Sequence, residues 1–408
     1  MGETLFIAHR MPFPPDRGDK IRSHHLLKAL AAMGPVYVAT LGETAADFAA
    51  EPMLGQVAAS HCLVQRPTNL VLAGLRALAS GKPVSLTAFH SQALSAWIVR
   101  TLRDRQIDTI FVFSGQMGQY VPTGFSGRLI IDLCDVDSAK FEAYGQARGG
   151  ARGWIDRREA RLMATEEARL AHRADATLLV SEAEASLFRR RLGPVPANVL
   201  TVGNGIDTST FDPQAVAPHP MLAGEAGPHI VFTGQMDYPP NITAAVRTAR
   251  SLMPAIRAAH PETRFHIVGR APNAEVRGLE GVHGTRVWGE VPDVRPFLAA
   301  ADLVVAPLAI ARGVQNKVLE AMAMARPVLL TPEAATGIGA VDGEHLAVAE
   351  TDEQLARRAI ELLADGQRAL AMGAAARRFV VARKSWAAAL SQLPAIMSRT
   401  GGEARDAA

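Results

Sequence analysis

The sequence has few cysteines and no long apolar runs, and each shortage argues against a class of protein. Only Cys62 and Cys134 occur among 408 residues, with no Cys-x-x-Cys pair and no Cys/His cluster. A disulfide framework and a structural zinc site are therefore not expected. No stretch approaches the roughly 20 apolar residues of a membrane span. The amino terminus lacks the basic segment and apolar core of a signal peptide. We therefore expect a cytoplasmic protein.

The chain also has little net charge. Its 43 Lys and Arg residues against 40 Asp and Glu residues give a formal charge of +3. Nucleic-acid binders normally carry larger basic patches, so we expect no nucleic-acid partner. A composition of 48% apolar and 20% charged residues is that of a globular protein. Because 408 residues exceed the usual size of one hydrophobic core, two domains are expected.

Short apolar segments alternate with helical segments along the chain, which predicts an α/β protein with parallel sheets. The predicted strands are 5–8, 36–40, 109–113, 129–132, 177–180, 229–233, 264–268, 282–288, 303–307 and 328–331. The predicted helices are 20–32, 241–260, 294–300, 353–363 and a last one near 386–397.

A polar, proline-rich stretch interrupts this alternation and predicts a domain boundary. We predict a first domain over 1–203, a hinge over 204–228 and a second domain over 229–385. The last helix, about 386–400, is expected to pack back on the first domain. Ligands of doubly wound sheets bind at the carboxyl ends of the strands, which here predicts a site in an interdomain cleft.

The segment 312–331 has the most informative local pattern. Gly313 precedes a run of helix-forming residues, and a glycine loop that opens onto a helix N-terminus is a ready site for an anion such as a diphosphate. Lys317 lies in the first turn, and Glu320 lies on the same face. A carboxylate can accept two hydroxyl hydrogen bonds, as a ribose would offer. The pattern predicts a pocket for a sugar nucleotide, and the alternative is a surface helix with a solvated Lys–Glu pair.

Four motifs occur in a fixed order, at 14–20, 203–207, 232–241 and 312–331. Together they resemble the retaining glycosyltransferases of the GT-B fold, and most of all the sugar transferases associated with exopolysaccharide loci of the exosortase type. The resemblance implies two doubly wound Rossmann-like domains facing an interdomain cleft. It also implies transfer of a sugar from a nucleotide donor, with retention and without a cofactor or metal.

The resemblance assigns a role to several residues. Gly18 belongs to the glycine loop of the first domain, near donor and acceptor, and residues 204–207 form the structural hinge turn. Gly234 and Gln235 follow the first strand of the second domain, and Gly313 and Val314 belong to the donor loop. Glu320 matches the second glutamate of the family's Glu-x7-Glu motif, which holds the donor ribose.

The sequence departs from the family at two points. Arg312 occupies the position of the first motif glutamate, and the 234–241 loop lacks the family's arginine and lysine. Our hypothesis is that Arg312, Lys317 and Arg270 neutralise the donor diphosphate instead, since arginine offers a bidentate fork to phosphate. Arg312 and Lys317 would then stabilise the charge that develops on the leaving group.

Acidic residues follow a predicted strand at 129–132. Asp135, a candidate catalytic residue, or Asp137 would orient the acceptor hydroxyl. The pair also forms the Asp-x-Asp signature with which the other glycosyltransferase fold holds a metal on a sugar diphosphate. A third interpretation is a strand-end cap, since Asp favours such turns.

An arginine-rich stretch at 148–173 includes Trp154 and Ile155. Such a stretch can dock on anionic lipid, as a lipid-linked acceptor would require, and the alternative is a solvated helix with internal ion pairs. We therefore predict a retaining, metal-independent hexosyltransferase that acts in exopolysaccharide or cell-surface glycan synthesis. Its partners would be a nucleotide sugar, a glycan or lipid-linked acceptor and the inner face of the membrane. A non-catalytic sugar-nucleotide-binding subunit and a GT-B nucleotide-sugar epimerase are the alternatives.

Overall fold

The protein forms two compact units in a computed structural model that describes residues 2–67, 70–311 and 314–398. The first unit extends to Asn204 and also includes residues 390–398, and the second is Gly205–Ala389. Each unit is built on one parallel sheet with helices around it. The predicted α/β class with two doubly wound sheets is confirmed.

The first sheet has seven strands in the order β3-β2-β1-β4-β5-β6-β7. Its strands are β1 Glu3–Ala8, β2 Val36–Gly42, β3 Ser60–Gln65, β4 Ile107–Phe113, β5 Arg128–Cys134, β6 Ala176–Leu179 and β7 Val199–Thr201. The central strands are near-continuous apolar runs because helices cover both faces of a parallel sheet, and every residue of β2 is buried. The strand order reverses between β1 and β4, which opens a crevice at their carboxyl ends.

The helices of the first unit connect these strands. They are α1 Gly18–Met33, α2 Ala45–Ala49, α3 Glu51–Val57, α4 Leu70–Ser80, α5 Val84–Thr87, α6 Gln92–Asp104, α7 Asp137–Ala147, α8 Gly150–Arg173 and α9 Glu182–Leu192. A 3₁₀ turn covers Gly115–Tyr120. A late helix, Leu393–Met397, also belongs to this unit, where the Arg128 guanidinium donates to the Ile396 carbonyl at 2.8 Å.

The second sheet has six strands in the order β10-β9-β8-β11-β12-β13. Its strands are β8 His229–Thr233, β9 Arg264–Val268, β10 Thr285–Gly289, β11 Leu303–Ala306, β12 Val328–Leu330 and β13 Ala347–Val348. The order reverses between β8 and β11, so the loops after these two strands border a second crevice.

The helices of the second unit surround this sheet. They are α10 Pro220–Ala223, α11 Pro239–Arg247, α12 Met253–Ala259, α13 Ala274–Arg277, α14 Arg295–Ala300, α15 Asn316–Ala323, α16 Pro332–Ala335, α17 Asp352–Ala364, α18 Gly366–Arg383 and α19 Trp386–Ala389. The late helix of the first unit, Leu393–Met397, is therefore numbered α20. Residues 205–228, predicted as part of a hinge, belong to this unit.

Three predicted elements differ from the structure, each at a proline or glycine. The predicted helix 241–260 is divided by a π turn, Thr248–Leu252, next to Pro254, which has no backbone N–H for the helical ladder. The predicted strand 282–288 begins only at Thr285, because Gly281 and Gly284 have positive φ angles of 79° and 76°. The predicted helix 386–397 is two short helices, α19 and α20, and Pro394 begins the second.

Candidate functional site

The crevice of the second sheet brings together two segments that are far apart in sequence. Gly234 and Gln235 follow β8, and α15 starts shortly after β11, so Lys317 in the first turn of α15 reaches the β8 loop. A Cβ atom built on Gly234 would lie 3.0 Å from the Lys317 Nζ and 2.9 Å from the Asn241 Nδ2. The cation that the β8 loop lacks in sequence is therefore supplied to it by α15.

Two contacts hold the ammonium group of Lys317 in this position. The Nζ donates a hydrogen bond to the Asn241 Oδ1, at the start of α11. The same Nζ lies 4.7 Å from the centroid of the Phe232 ring, which is within cation–π range. The Asn241 Nδ2 donates in turn to the Gln235 carbonyl at 2.9 Å, so amide, lysine and β8 loop form one hydrogen-bonded group.

Glycine is required where the loops after β8 and β9 cross. The Gly234 N–H donates to the Val268 carbonyl at 3.1 Å, and the Met236 N–H donates to the Arg270 carbonyl at 2.8 Å. Gly269 has a φ of 154°, and a Cβ there would lie 1.6 Å from the Gly234 carbonyl oxygen. No side chain fits this crossing, and the close backbone contact fixes the floor of the site.

Burial shifts the pKa values of both charged groups of α15 toward neutrality. Burial lowers the pKa of Lys317 to about 8, although the nearby Glu320 carboxylate opposes the change. Burial raises the pKa of Glu320 to about 7, with Lys317 opposing it. A lysine and a glutamate with perturbed pKa values in a crevice are a functional-site signature. Both residues are half-buried, and their pKa shifts have the direction that desolvation gives, which favours the pocket over the alternative of a solvated surface pair.

The other predicted donor residues are at the surface or outside the described part of the chain. The exposed Arg270 and Gln235 contact each other, since the Arg270 Nη2 donates to the Gln235 Oε1 at 2.9 Å. Val314 is exposed, with its Cγ2 3.1 Å from a Cβ built on Gly337. Arg312 and Gly313 lie outside the described residues, so their predicted roles stay predictions.

Asn241 is the functional candidate that sequence reasoning missed. Its side chain is buried and contacts both Lys317 and the β8 loop. The only sequence signal is a polar residue that follows two prolines at a helix start, and nothing in the local pattern indicates a partner 76 positions later.

The predicted residues of the first unit lie at the carboxyl ends of β1 and β5. Gly18 is the first residue of α1 rather than part of a preceding loop, and a Cβ on it would meet no atom within 4 Å. Asp135 and Asp137 both contact Lys140, whose Nζ lies 2.8 Å and 3.3 Å from their carboxylates. One lysine therefore bridges the two carboxylates of the Asp-x-Asp pair. Within the described residues, no group of three or more His, Cys, Asp or Glu side chains is arranged to hold a metal.

A network of charged groups after β1 and β2 is a second feature that the sequence did not indicate. The buried His9 Nε2 lies 3.2 Å from the Asp19 Oδ2, which also accepts from Arg10. Burial lowers the pKa of His9. Burial acts to raise the pKa of Asp19, but hydrogen bonds from His9 and Arg10 bring it well below its usual range. Arg10, Arg17 and Arg66 all contact Glu43. This network lies at the carboxyl ends of β1, β2 and β3.

The arginine-rich stretch is helix α8, and its arginines have several different partners. Arg169 pairs with Glu166 within α8, as the ion-paired alternative predicted, whereas Arg148, at the end of α7, pairs with Asp156 of α8. Others donate to backbone carbonyls, such as Arg157 to Gly145 at 2.9 Å. Trp154 and Ile155 are exposed. Among the described residues, no helix is long and apolar enough to cross a membrane.

Two family models match the chain, one in each half. Residues 18–205 match the family described as "Glycosyl transferase 4-like domain", and residues 227–365 match "Glycosyl transferases group 1". No curated protein sequence matches the chain.

Solved structures show the same fold over nearly the whole chain. Sucrose-phosphate synthase from Thermosynechococcus elongatus has 16% identity and a TM-score of 0.59, covering 97% of this chain and 98% of that one. HepE from Anabaena, solved with UDP and glucose, has 16% identity and a TM-score of 0.60, with 98% and 100% covered. WaaG, a glycosyltransferase involved in lipopolysaccharide biosynthesis, has 18% identity and a TM-score of 0.60, with 98% and 100% covered.

Proposed function

We propose that this chain, a glycosyltransferase of the GT-B fold by its two domain matches and its two sheets, transfers a sugar from a nucleoside diphosphate donor to a glycan or lipid-linked acceptor. The observation that carries the proposal is the position of Lys317 beside the glycine floor after β8, with Glu320 three residues further along α15. HepE, a protein of similar fold, has been solved with UDP and with UDP-glucose, which supports a sugar nucleotide as the donor.

The chemistry assigns a task to each group of the site. The positive end of the α15 helix dipole and the Lys317 ammonium would bind the diphosphate, and they would stabilise the charge that it gains on leaving. Glu320 would accept hydrogen bonds from the ribose hydroxyls. Asp135 or Asp137, after β5, would orient the acceptor hydroxyl. We further propose transfer of a hexose with retention and without a metal, in exopolysaccharide or other cell-surface glycan synthesis.

Donor turnover tests the proposal. The full chain would be incubated with UDP-, GDP- and ADP-sugars while release of the nucleoside diphosphate is measured. We expect one donor to be hydrolysed slowly, and we expect Lys317→Ala and Glu320→Gln to abolish that hydrolysis. Matched controls are Lys28→Ala on α1 and Glu361→Gln on α17, both exposed and distant in sequence from the crevice.

The remaining outcomes separate the alternatives. A nucleotide at 100 times its dissociation constant should stabilise the protein by about 2.7 kcal/mol, and failure of every nucleotide to do so would contradict a donor site. Binding without turnover would favour the non-catalytic subunit, and an epimerised donor would favour the epimerase. Arg312 has its own test, because Arg312→Ala with full donor affinity would exclude it from the diphosphate site.

A further inference from the structure

Helix α4 has three large apolar side chains, Leu72, Leu75 and Leu78, on the outside. The buried residues on its inner side are Ala73 and Ala77, which are 7% and 0% exposed. Leu72, Leu75 and Leu78 are 42%, 60% and 57% exposed. A helix on the surface of a globular protein normally shows the opposite arrangement, with its leucines toward the core. The three-residue spacing places these leucines along one face of the helix.

The surrounding structure holds α4 firmly, so the exposed leucines are not a consequence of a frayed helix. The Thr87 hydroxyl donates to the Ala73 carbonyl at 2.9 Å. At the other end, the Arg158 guanidinium of α8 donates to the Ala77 carbonyl at 3.0 Å. The next residue of α8, Glu159, accepts hydrogen bonds from the backbone N–H groups of Val84 and Ser85, the first two residues of α5. Helix α4 is therefore attached to the first half of α8.

The charge around the leucines is of one sign. Trp154 lies one turn before Arg158 on the same side of α8, and it is 54% exposed. The exposed basic residues of α4, of the turn after it and of residues 152–161 on α8 are Arg76, Lys82, Arg152, Arg157 and Arg161. The two acids of 152–161, Asp156 and Glu159, are buried, and helix α4 contains no acid. Exposed leucines, an aromatic anchor and a basic rim without exposed acid are what an anionic bilayer binds.

We propose that this α4 face, defined as Leu72, Leu75 and Leu78 of α4 with Trp154 of α8, docks on an anionic lipid bilayer. The basic rim disfavours a second copy as the occupant, because two such faces would bring like charges together. The geometry of the face stands by itself, but its use for holding a lipid-linked acceptor rests on the proposed function.

Vesicle flotation of the full chain tests the docking. Two vesicle types would be used, phosphatidylcholine alone and phosphatidylcholine with phosphatidylglycerol in equal parts. The protein should float with the anionic vesicles only, and less so at high salt. The double variant Leu75→Gln, Leu78→Gln should bind anionic vesicles at least about tenfold more weakly than the wild type, because two leucines no longer enter the apolar layer. The matched control is Leu370→Gln on α18, where the leucine is 66% exposed.

Every other result would overturn the proposal. Unchanged flotation of the double variant would show that the leucines do not contribute to docking. Equal binding of the wild type to phosphatidylcholine vesicles and to anionic vesicles would show that the basic rim does not contribute. A lower thermal midpoint of the variant would mean that the leucines stabilise the unit itself. A wild-type dimer that becomes monomeric in the variant, measured by light scattering, would identify a second copy as the occupant. Nucleotide binding should be unchanged in the variant, so the failure of docking can be told from the failure of the donor site.

Discussion

Nucleotide binding should depend on the charge of Lys317. The ammonium lies beside the β8 loop, bound to Asn241 and over the Phe232 ring, and burial lowers its pKa to about 8. A bound diphosphate would favour the charged form. The affinity for UDP should therefore be constant at neutral pH and should fall as the pH rises through this pKa.

The size of the effect follows from linkage. With a pKa of about 8, the amine is largely charged near pH 7 and largely neutral near pH 9. If the nucleotide binds only the charged form, the affinity should fall about tenfold over that interval. Lys317→Met keeps most of the apolar stem and removes the charge. A hydrogen bond to a charged group contributes about 1.5–3 kcal/mol, so the variant should bind about 10- to 150-fold more weakly at neutral pH.

Isothermal titration calorimetry with UDP across this pH range measures both quantities. Lys317→Met should lose the alkaline decrease along with the affinity, which separates titration of the lysine from titration of the nucleotide. Lys28→Met, at an exposed position of α1, should bind as the wild type does. An affinity that declines equally in wild type and Lys317→Met, or a variant that binds normally, would refute the role given to this ammonium.

Three further predictions concern the site and the stability of the units. Gly234→Ala should weaken UDP binding about tenfold at nearly unchanged thermal midpoint, because its Cβ would lie 2.9 Å from the Asn241 amide nitrogen and beside the lysine. Arg22→Met should cost about 3–5 kcal/mol in urea unfolding, because it leaves the buried Asp132 carboxylate, 2.9 Å from the guanidinium, without its charge partner. Burial lowers the pKa of His266 to about 3, so the second unit should lose up to about 1.4 kcal/mol per pH unit below about pH 6.5, where only the unfolded chain takes up the proton.

Each of these has a matched control and a contrary outcome. Gly366→Ala adds a Cβ that meets nothing within 4 Å, and an equal effect on UDP binding would contradict the steric argument. Arg103→Met removes an exposed arginine and should change stability little, so a similar loss in both variants would mean that burial of the pair is not the cause. His172→Gln, at an exposed position, should leave the acid dependence unchanged. Stability that stays flat between about pH 6 and about pH 4 would contradict a neutral, buried His266.

The neutral state of His266 illustrates how a hydrogen-bond chain fixes a tautomer. The Trp288 indole N–H can only donate, and it lies 3.1 Å from the His266 Nδ1. The proton of His266 must then be on Nε2, where it donates to the His229 Nδ1 at 3.0 Å. Protonation of His266 would place two donors face to face, which adds to the cost of burying the charge.

The fold was largely predictable because local patterns are enough to recognise its strands. Buried parallel strands are continuous apolar runs, so 36–40 and 229–233 were recognised from composition alone. The short edge strands β7 and β13 were missed, since three or two residues carry no periodicity. The partly exposed β3 was missed because its sequence mixes polar and apolar residues.

Of the candidate site, the part on α15 was predictable, and its contacts with Phe232 and Asn241 were not. The order of residues in 312–331 indicated that Lys317 and Glu320 share a helix face near a helix N-terminus, since helical spacing is a local property. The sequence did not indicate that Asn241 and Phe232 would hold the lysine, or that burial would move both pKa values toward neutrality. Those effects depend on which strands are neighbours in the sheet.

The sequence by itself determined the class of fold, the order of the motifs and the helix that carries the predicted donor residues, because strand composition and helical periodicity act over a few residues. The tertiary structure decided which groups meet. It placed Lys317 beside Gly234, put Lys140 between Asp135 and Asp137, and turned the leucines of α4 outward. Such pairings arise from the strand order of each sheet and from helices that dock on one another. They join residues tens of positions apart, and no local pattern encodes them.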